Sequence, residues 1–135
     1  MLSKDLAPVL FFTENMLYLF NTNIIPSPAV VRVTTITREY AKKVISESDE
    51  IISAIGHEAT AQCLSEILNI NVKVNRINAQ PTHLDRVVSL KLNGRVEEGK
   101  VLTMSDMEQM GYTLYLMEFY DQSYDIHKPE LPFVL

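Results

Sequence analysis

The chain alternates short β-branched or aromatic runs with segments whose apolar residues recur every three or four positions. Runs of the first kind are typical of buried strands, and segments of the second kind are typical of amphipathic helices. Their order is strand, strand, helix, strand, helix, strand, helix, strand, and one more segment, Asn71–Arg76, fits either a strand or an extended link. This order predicts an α/β (α+β-like) fold, a single domain with a mixed β-sheet of four to six strands flanked by helices.

The element boundaries follow from turn residues and capping residues. We predict strands at Met16–Thr22, Ala29–Ile36, Glu50–Ile55, Arg86–Leu92 and Tyr112–Tyr120. The first helix begins after the N-cap Thr37, and its apolar face consists of Tyr40, Ala41, Val44 and Ile45. The second helix begins after His57. The third begins after Thr103 or Ser105, ends at Gly111, and directs three methionines toward the core, Met104, Met107 and Met110.

Length and composition favour one globular domain. The 135 residues suffice for one core, and 47% of them are apolar. We expect the domain to span residues 16–120, with an N-terminal extension at 1–15 and an extended C-terminal tail at 121–135. No apolar run approaches the roughly 20 residues that a membrane-spanning helix needs, and the single cysteine, Cys63, excludes an intrachain disulfide. These features predict a cytoplasmic protein without a membrane partner.

Charge is distributed unevenly along the chain. The net charge is −5, which argues against binding to duplex nucleic acid. Residues 29–100 nevertheless carry ten Lys and Arg against nine Asp and Glu, whereas residues 101–135 carry six acids and a single lysine. Any anion-binding surface is therefore expected in the middle of the chain.

His57 directly follows Gly56 at the point where a predicted strand gives way to a helix. The first backbone N–H groups of a helix lack intrahelical partners and carry partial positive charge, so this turn favours an anion such as a phosphate. A histidine beside a phosphate can donate a proton to a leaving oxygen. Position alone favours the simpler interpretation, in which His57 only hydrogen-bonds a neighbouring loop.

Two further segments carry groups that suit a phosphate. The turn at 94–100 places Arg95 and Glu98 three residues apart between glycines, and Arg76 closes the segment at 71–76. A guanidinium group matches a phosphate through two parallel hydrogen bonds, and a nearby carboxylate can orient the guanidinium. Taken alone, each of these residues also fits a solvated turn.

The first strand ends in Asn21, Thr22 and Asn23, whose amides and hydroxyl suit base edges or ribose, although asparagine in such a position usually forms only a turn. The histidines outside the Gly56-His57 turn have no partner at metal-ligand spacing, and the acidic cluster at 97–108 contains no histidine. Glycine-rich phosphate loops and nucleophile-elbow motifs are also absent from the sequence. We therefore predict neither a metal site nor a cofactor.

Four stretches together resemble a known family. They are Leu17–Asn21 (LYLFN), Ser53–Gln62 (SAIGHEATAQ), Val74–Arg76 (VNR) and Gly94–Thr103 (GRVEEGKVLT). In this combination the chain resembles the small ring nucleases of viruses and mobile elements, which act as type III anti-CRISPR proteins and were long catalogued as a domain of unknown function. The resemblance runs from Met16 to about residue 120.

The resemblance implies a homodimer that binds cyclic tetra-adenylate, the second messenger of type III CRISPR defence. It implies cleavage of that ring without metal into linear di-adenylate with 2′,3′-cyclic phosphate ends, in the host cytoplasm if the protein is virus-encoded. His57 matches the catalytic histidine that protonates the leaving 5′ oxygen, and Gly56 adjoins it at the ligand. Arg95 and Glu98 match the catalytic arginine and acid, and Arg76 matches an arginine that lies near the scissile phosphate.

The first loop departs from the family pattern. Some members place a serine hydroxyl at the ligand soon after the strand-ending asparagine, whereas here Asn23–Ser27 intervenes, so that either Thr22 or Ser27 can take this role. The alternative function is a non-catalytic binder that sequesters a cyclic oligonucleotide or a protein partner. A DNA- or RNA-binding regulator is disfavoured because the chain has no basic stripe.

Overall fold

The computed structural model describes residues 15–26, 28–97 and 99–123. Two predicted site residues, Ser27 and Glu98, lie outside the described residues. The same holds for residues 1–14 of the predicted extension and for residues 124–135 of the predicted tail. The expectations for these positions remain predictions.

Within the described residues, five strands form one sheet in the order β2-β5-β4-β1-β3. They are β1 (Leu17–Phe20), β2 (Val30–Ile36), β3 (Ile51–Ser53), β4 (Arg86–Leu92) and β5 (Tyr112–Tyr120). β1 pairs in parallel with β3 and β4, whereas β5 pairs antiparallel with β2 and β4. The mixed sheet is confirmed, with β1 to β4 running in one direction and β5 in the other.

The helices of the described part of the chain are α1 (Arg38–Ser46), α2 (Glu58–Leu68) and α3 (Met104–Met110). Thr37 caps α1 by accepting a hydrogen bond at 3.0 Å from the backbone N–H of Tyr40. Thr103 caps α3 in a reciprocal capping box with Asp106, and these hydrogen bonds lower the pKa of the Asp106 carboxyl. Of the two predicted caps of α3, the structure therefore selects Thr103.

All three helices contribute to a core on one face of the sheet. This cluster combines alternate strand residues, such as Leu19, Val88 and Leu114, with helix residues such as Val44 and Leu64. The methionines of α3 lie in or against this core, as predicted. In α1 the predicted apolar face is buried except for Tyr40, which is 42% exposed. Tyr40 shares this face by its helical spacing, and its side chain stays in contact with water.

On the other side of the sheet, the helix-free face, no helix of the described residues contributes to the buried cluster. This cluster is smaller, and the loop residues Ala29 and Ala79 add to it. The cluster consists of Phe20, Val87, Met117 and Phe119. Part of this face is open, since Val33 in the middle of the edge strand β2 is 49% exposed and Lys91 near the carboxyl end of β4 is exposed as well.

Asn71–Arg76 is an extended link and not a strand, since it belongs to no strand pairing. Its contacts with the outer side of β3 explain the alternating pattern. The Ser53 hydroxyl donates to the carbonyl of Lys73 at 2.6 Å. Asn75 donates from its backbone N–H to the carbonyl of Ile55 at 2.8 Å and from its side chain to the carbonyl of Ser53 at 2.7 Å. The end of the link is thereby fixed beside the carboxyl end of β3.

Glu118 is a buried carboxyl, 4% exposed, at the helix-facing side of β5. Its cross-strand neighbours are Arg32 on β2 and Arg86 on β4, and Arg32 Nε lies 3.8 Å from Glu118 Oε1. Burial raises the pKa of the Glu118 carboxyl, while the positive charges of Arg32 and Arg86 oppose this shift. The Glu118 carboxyl is thus an ionisable group that is buried against the sheet between two arginines.

We expect Glu118→Gln to change how stability depends on pH. The pKa of the Glu118 carboxyl is higher in the folded protein than in the unfolded chain. Its stabilising contribution to the free energy of unfolding is therefore fully present below the unfolded-state pKa, and it is lost as the pH rises through the folded-state pKa. The wild type should therefore lose stability relative to Glu118→Gln in the pH range just above the ordinary glutamate pKa of about 4.3. Urea unfolding at several pH values measures this, with the exposed Glu108→Gln as control. A stability difference that stays constant with pH would contradict the prediction.

Candidate functional site

The candidate site lies at the carboxyl edge of the sheet. Because β1 to β4 run in one direction, their carboxyl ends meet at this edge, and α1 and α2 begin there after β2 and β3. Open sheets of this kind bind ligands in the crevice outside the carboxyl ends of their strands. The predicted site residues at 21–23, 56–57 and 95 all follow strands that end at this edge.

A cavity of about 500 Å³ opens between the loop after β1, the end of β4 and the first turn of α2. Its volume lies within the range of small-molecule sites. The lining residues are Asn21, Thr22, Asn23, Thr60, Ser89, Leu90, Lys91, Leu92 and Tyr115. The three predicted residues of the first loop therefore share one cavity. Of the two candidates for a hydroxyl contact, Thr22 lines it, and Ser27 lies outside the described residues.

His57 is the N-cap residue of α2 and has an extended backbone, with φ −123° and ψ 130°. Its side chain makes no capping hydrogen bond and is exposed. The imidazole accepts no hydrogen bond from the first backbone N–H groups of α2, so these donors remain accessible to an anion. Thr60, three residues further along the same helix end, lines the cavity.

Arg76 is held against the turn that contains His57. Its Nε donates a hydrogen bond to the carbonyl of Gly56 at 2.9 Å. The neighbouring Asn75 anchors the chain to β3, so the guanidinium group is positioned by the extended link and not by a strand. One N–H of the guanidinium is used in this contact, and four others can serve an anion at the same helix end. The structure thus brings Arg76 to the Gly56-His57 turn, from which it is distant in the sequence.

Arg95 lies in the loop that follows β4, three residues after the cavity-lining Leu92, and is exposed. The loop is fixed at its start, where the backbone N–H of Asn93 donates to the carbonyl of Gly111 at 2.9 Å. Gly111 has φ +91°, and a Cβ there would lie 2.6 Å from Asn93 Nδ2, so this turn requires glycine. Arg95 shares the carboxyl edge with His57, but the two residues form no hydrogen bond.

Six lining residues were not predicted as part of a site, namely Thr60, Ser89, Leu90, Lys91, Leu92 and Tyr115. For Ser89 and Lys91 a signal exists, because the alternation in β4 puts a serine and a lysine on the same side as Val87. This interrupts the apolar side of the strand toward its carboxyl end. Cys63 of α2 is buried, and burial raises the pKa of its thiol, so this cysteine is not an activated nucleophile.

Two features of the described residues bear on other kinds of site. None of the helices in this part of the chain has the length and apolar character needed to cross a membrane. Within the same residues, no three His, Cys, Asp or Glu side chains are grouped in a way that could hold a metal ion.

Residues 17–114 match the sequence family described as STIV B116-like. "Uncharacterized protein 26" of Sulfolobus islandicus filamentous virus is 38% identical over 108 residues, covering 76% of this chain and 91% of the relative. "Uncharacterized protein ORF117" of Acidianus two-tailed virus is 36% identical over 108 residues, with 76% and 92% covered. "Uncharacterized protein YddF" of Bacillus subtilis is 30% identical over 98 residues, with 72% and 91% covered.

The fold is also similar to a solved structure, B116 of Sulfolobus turreted icosahedral virus. The two chains superpose with a TM-score of 0.68 at 21% sequence identity, covering 76% of this chain and 98% of the viral protein. At this level of identity the likeness concerns the fold alone.

Proposed function

The chain belongs to the STIV B116-like family, and from this premise we propose that it is a metal-independent ring nuclease. It converts cyclic tetra-adenylate into linear di-adenylate with 2′,3′-cyclic phosphate ends and so suppresses type III CRISPR signalling in the cytoplasm of a host cell. The observation that carries the proposal is the contact of Arg76 with Gly56 beside His57, at a helix start that adjoins a nucleotide-sized cavity.

In the proposed reaction a ribose 2′-hydroxyl of the ring attacks the adjacent phosphorus. The new P–O bond closes the 2′,3′-cyclic phosphate, the bond to the 5′ oxygen breaks, and His57 gives a proton to that departing oxygen. The 2′-hydroxyl proton passes to Glu98 or to solvent. The nucleophile belongs to the substrate, so the protein needs no activated side chain of its own.

Negative charge that develops on the phosphate is stabilised by Arg76, by Arg95 and by the first backbone N–H groups of α2. Support for this role comes from the exposed, uncapped start of α2 and from the fixed guanidinium of Arg76. Asn21 and Thr22, which line the cavity, recognise ribose or base, and the lining residue Lys91 adds a positive charge for the ring's phosphates.

The proposal includes a homodimer, because a ring with two-fold symmetry suits two copies of one site across a two-fold axis. Antiparallel pairing of two β2 edges would point the two carboxyl edges in opposite directions. Packing of two helix-free faces about an axis parallel to the strands instead places both carboxyl edges side by side. The open part of this face fits that arrangement, since the exposed Val33 is paired with Met117, two residues along β5 from the cavity residue Tyr115.

The test is incubation of the wild-type protein with cyclic tri-, tetra- and hexa-adenylate in EDTA, followed by chromatography of the products. We expect cleavage of the tetra-adenylate ring to di-adenylate cyclic phosphate, unaffected by chelation. Light scattering of the same samples should give the mass of a dimer. Loss of activity in EDTA would contradict the metal-free mechanism. Tight binding of the ring without any product would instead support the alternative of a sequestering protein.

A further inference from the structure

Ser89 is a polar residue in an apolar environment. It lies on the helix-free face of β4, is 1% exposed, and follows the fully buried Val87 by two residues. Its register neighbours are Phe20, the last residue of β1, and Tyr115 of β5. A buried hydroxyl at such a place needs a hydrogen-bond partner, because leaving it unpaired costs free energy.

The partner of Ser89 is Asn23, which lies three residues beyond the end of β1. The Ser89 hydroxyl donates a hydrogen bond to Asn23 Oδ1. Among the described residues, no other side-chain hydrogen bond involves the segment at 21–26. Apolar packing does not fix this segment beyond Asn23 either, since Ile24 is 55% exposed and Ile25 is 49% exposed. Ser89 is thus the polar anchor of the first loop at the cavity.

This hydrogen bond determines what Asn23 can offer to a ligand. A side-chain amide carries one acceptor oxygen and two N–H donors, and here the oxygen is engaged by Ser89. The N–H groups remain for the cavity that both residues line. We propose that Ser89 is a positioning residue that fixes Asn23 as a hydrogen-bond donor to acceptor atoms of a bound nucleotide, such as the ring nitrogens of adenine. This inference rests on the proposed function.

The test compares Ser89→Ala with Ser89→Thr, which keeps the hydroxyl. Calorimetry in the inactive His57→Ala background measures the affinity for cyclic tetra-adenylate. We expect Ser89→Ala to weaken binding about 3- to 10-fold, the value of one hydrogen bond, and Ser89→Thr to restore it. Asn23→Asp keeps the acceptor but removes the donors, and should weaken binding at least as much as Ser89→Ala. In the active protein, Ser89→Ala should raise KM and leave the single-turnover rate unchanged.

A folded Ser89→Ala protein with wild-type affinity would overturn the inference. So would a Ser89→Thr protein that binds as weakly as Ser89→Ala, because the loss would then come from packing. A ligand-free measurement separates this inference from the proposed function. NMR relaxation of the Asn23 side-chain amide should show restricted motion in the wild type and release in Ser89→Ala. If the wild type bound no adenylate ring, the proposed function would fail, but the NMR test of Ser89 would still apply. Restricted motion of the Asn23 amide in both the wild type and Ser89→Ala would refute the role of Ser89.

Discussion

His57→Ala is expected to abolish cleavage of cyclic tetra-adenylate while leaving ring binding nearly intact. The substrate supplies its own nucleophile, so the protein must position the ribose, neutralise the phosphate and protonate the departing oxygen. Only the last of these tasks needs the imidazole. A positioned general acid contributes on the order of 10²–10⁴ in rate, and single-turnover kinetics at saturating protein would measure this loss directly.

A suitable control is His83→Ala. His83 is also exposed but belongs to the loop before β4, at the opposite edge of the sheet, where its Nδ1 accepts a hydrogen bond from the backbone of Asp121. His83→Ala should leave the cleavage rate unchanged once folding is verified. Near-normal single-turnover rates in His57→Ala would contradict the mechanism in which His57 protonates the departing oxygen. A matched loss of ring affinity would mean that His57 binds the substrate in its ground state.

β1, β4 and β5 could be predicted because their buried positions impose aliphatic or aromatic residues, whereas β2 and β3 have no fully buried residue and are recognisable by their β-branched or apolar runs. β3 shows where this signal ends. The apolar run at 50–55 predicts a longer strand than Ile51–Ser53, because Ile55 is buried and apolar although it lies beyond the paired residues. Burial, rather than sheet pairing, accounts for its residue type. Apolar pattern therefore predicts the existence of an element better than its bounds.

The turn at His57 was predictable for a local reason. A helix start is encoded by neighbouring residues, and the change from the apolar run before Gly56 to the helical period after Glu58 marks it within a few positions. The approach of Arg76 to this turn depends on hydrogen bonds between the extended link and β3. In the sequence, this segment has only an alternating pattern, which fits a strand as well as a link.

The cavity could not be assembled from the sequence, because its walls depend on strand order and register. Ser89 meets Phe20 and Tyr115 only because β4 lies between β1 and β5, with these residues side by side. A shift of one residue in either pairing would move Ser89 to the other face. Periodicity shows which residues share a face of one strand, but it carries no information about which strands are neighbours.

Arg95→Ala is expected to slow turnover much more than it weakens ring binding, and Glu98→Ala is expected to behave in the same way. Arg95 is exposed on a loop that follows the cavity-lining end of β4, so it can approach the scissile phosphate. Because it is exposed, its removal should not destabilise the ligand-free protein. A donor aimed at charge that develops in the transition state acts mainly on the chemical step, and removal of one such donor costs about 10²–10³ in rate.

Lys100→Ala is the matched control for Arg95→Ala, because it removes the same charge from the same loop. General attraction of an anionic ring by the loop would make both variants lose affinity in parallel, and the loss would fade at high salt. Stabilisation of the transition state by a guanidinium predicts a large rate loss in Arg95→Ala alone, with the dissociation constant little changed. Equal losses of affinity with an unchanged single-turnover rate would place Arg95 in ground-state binding and leave His57 and Arg76 as the groups that act on the phosphate.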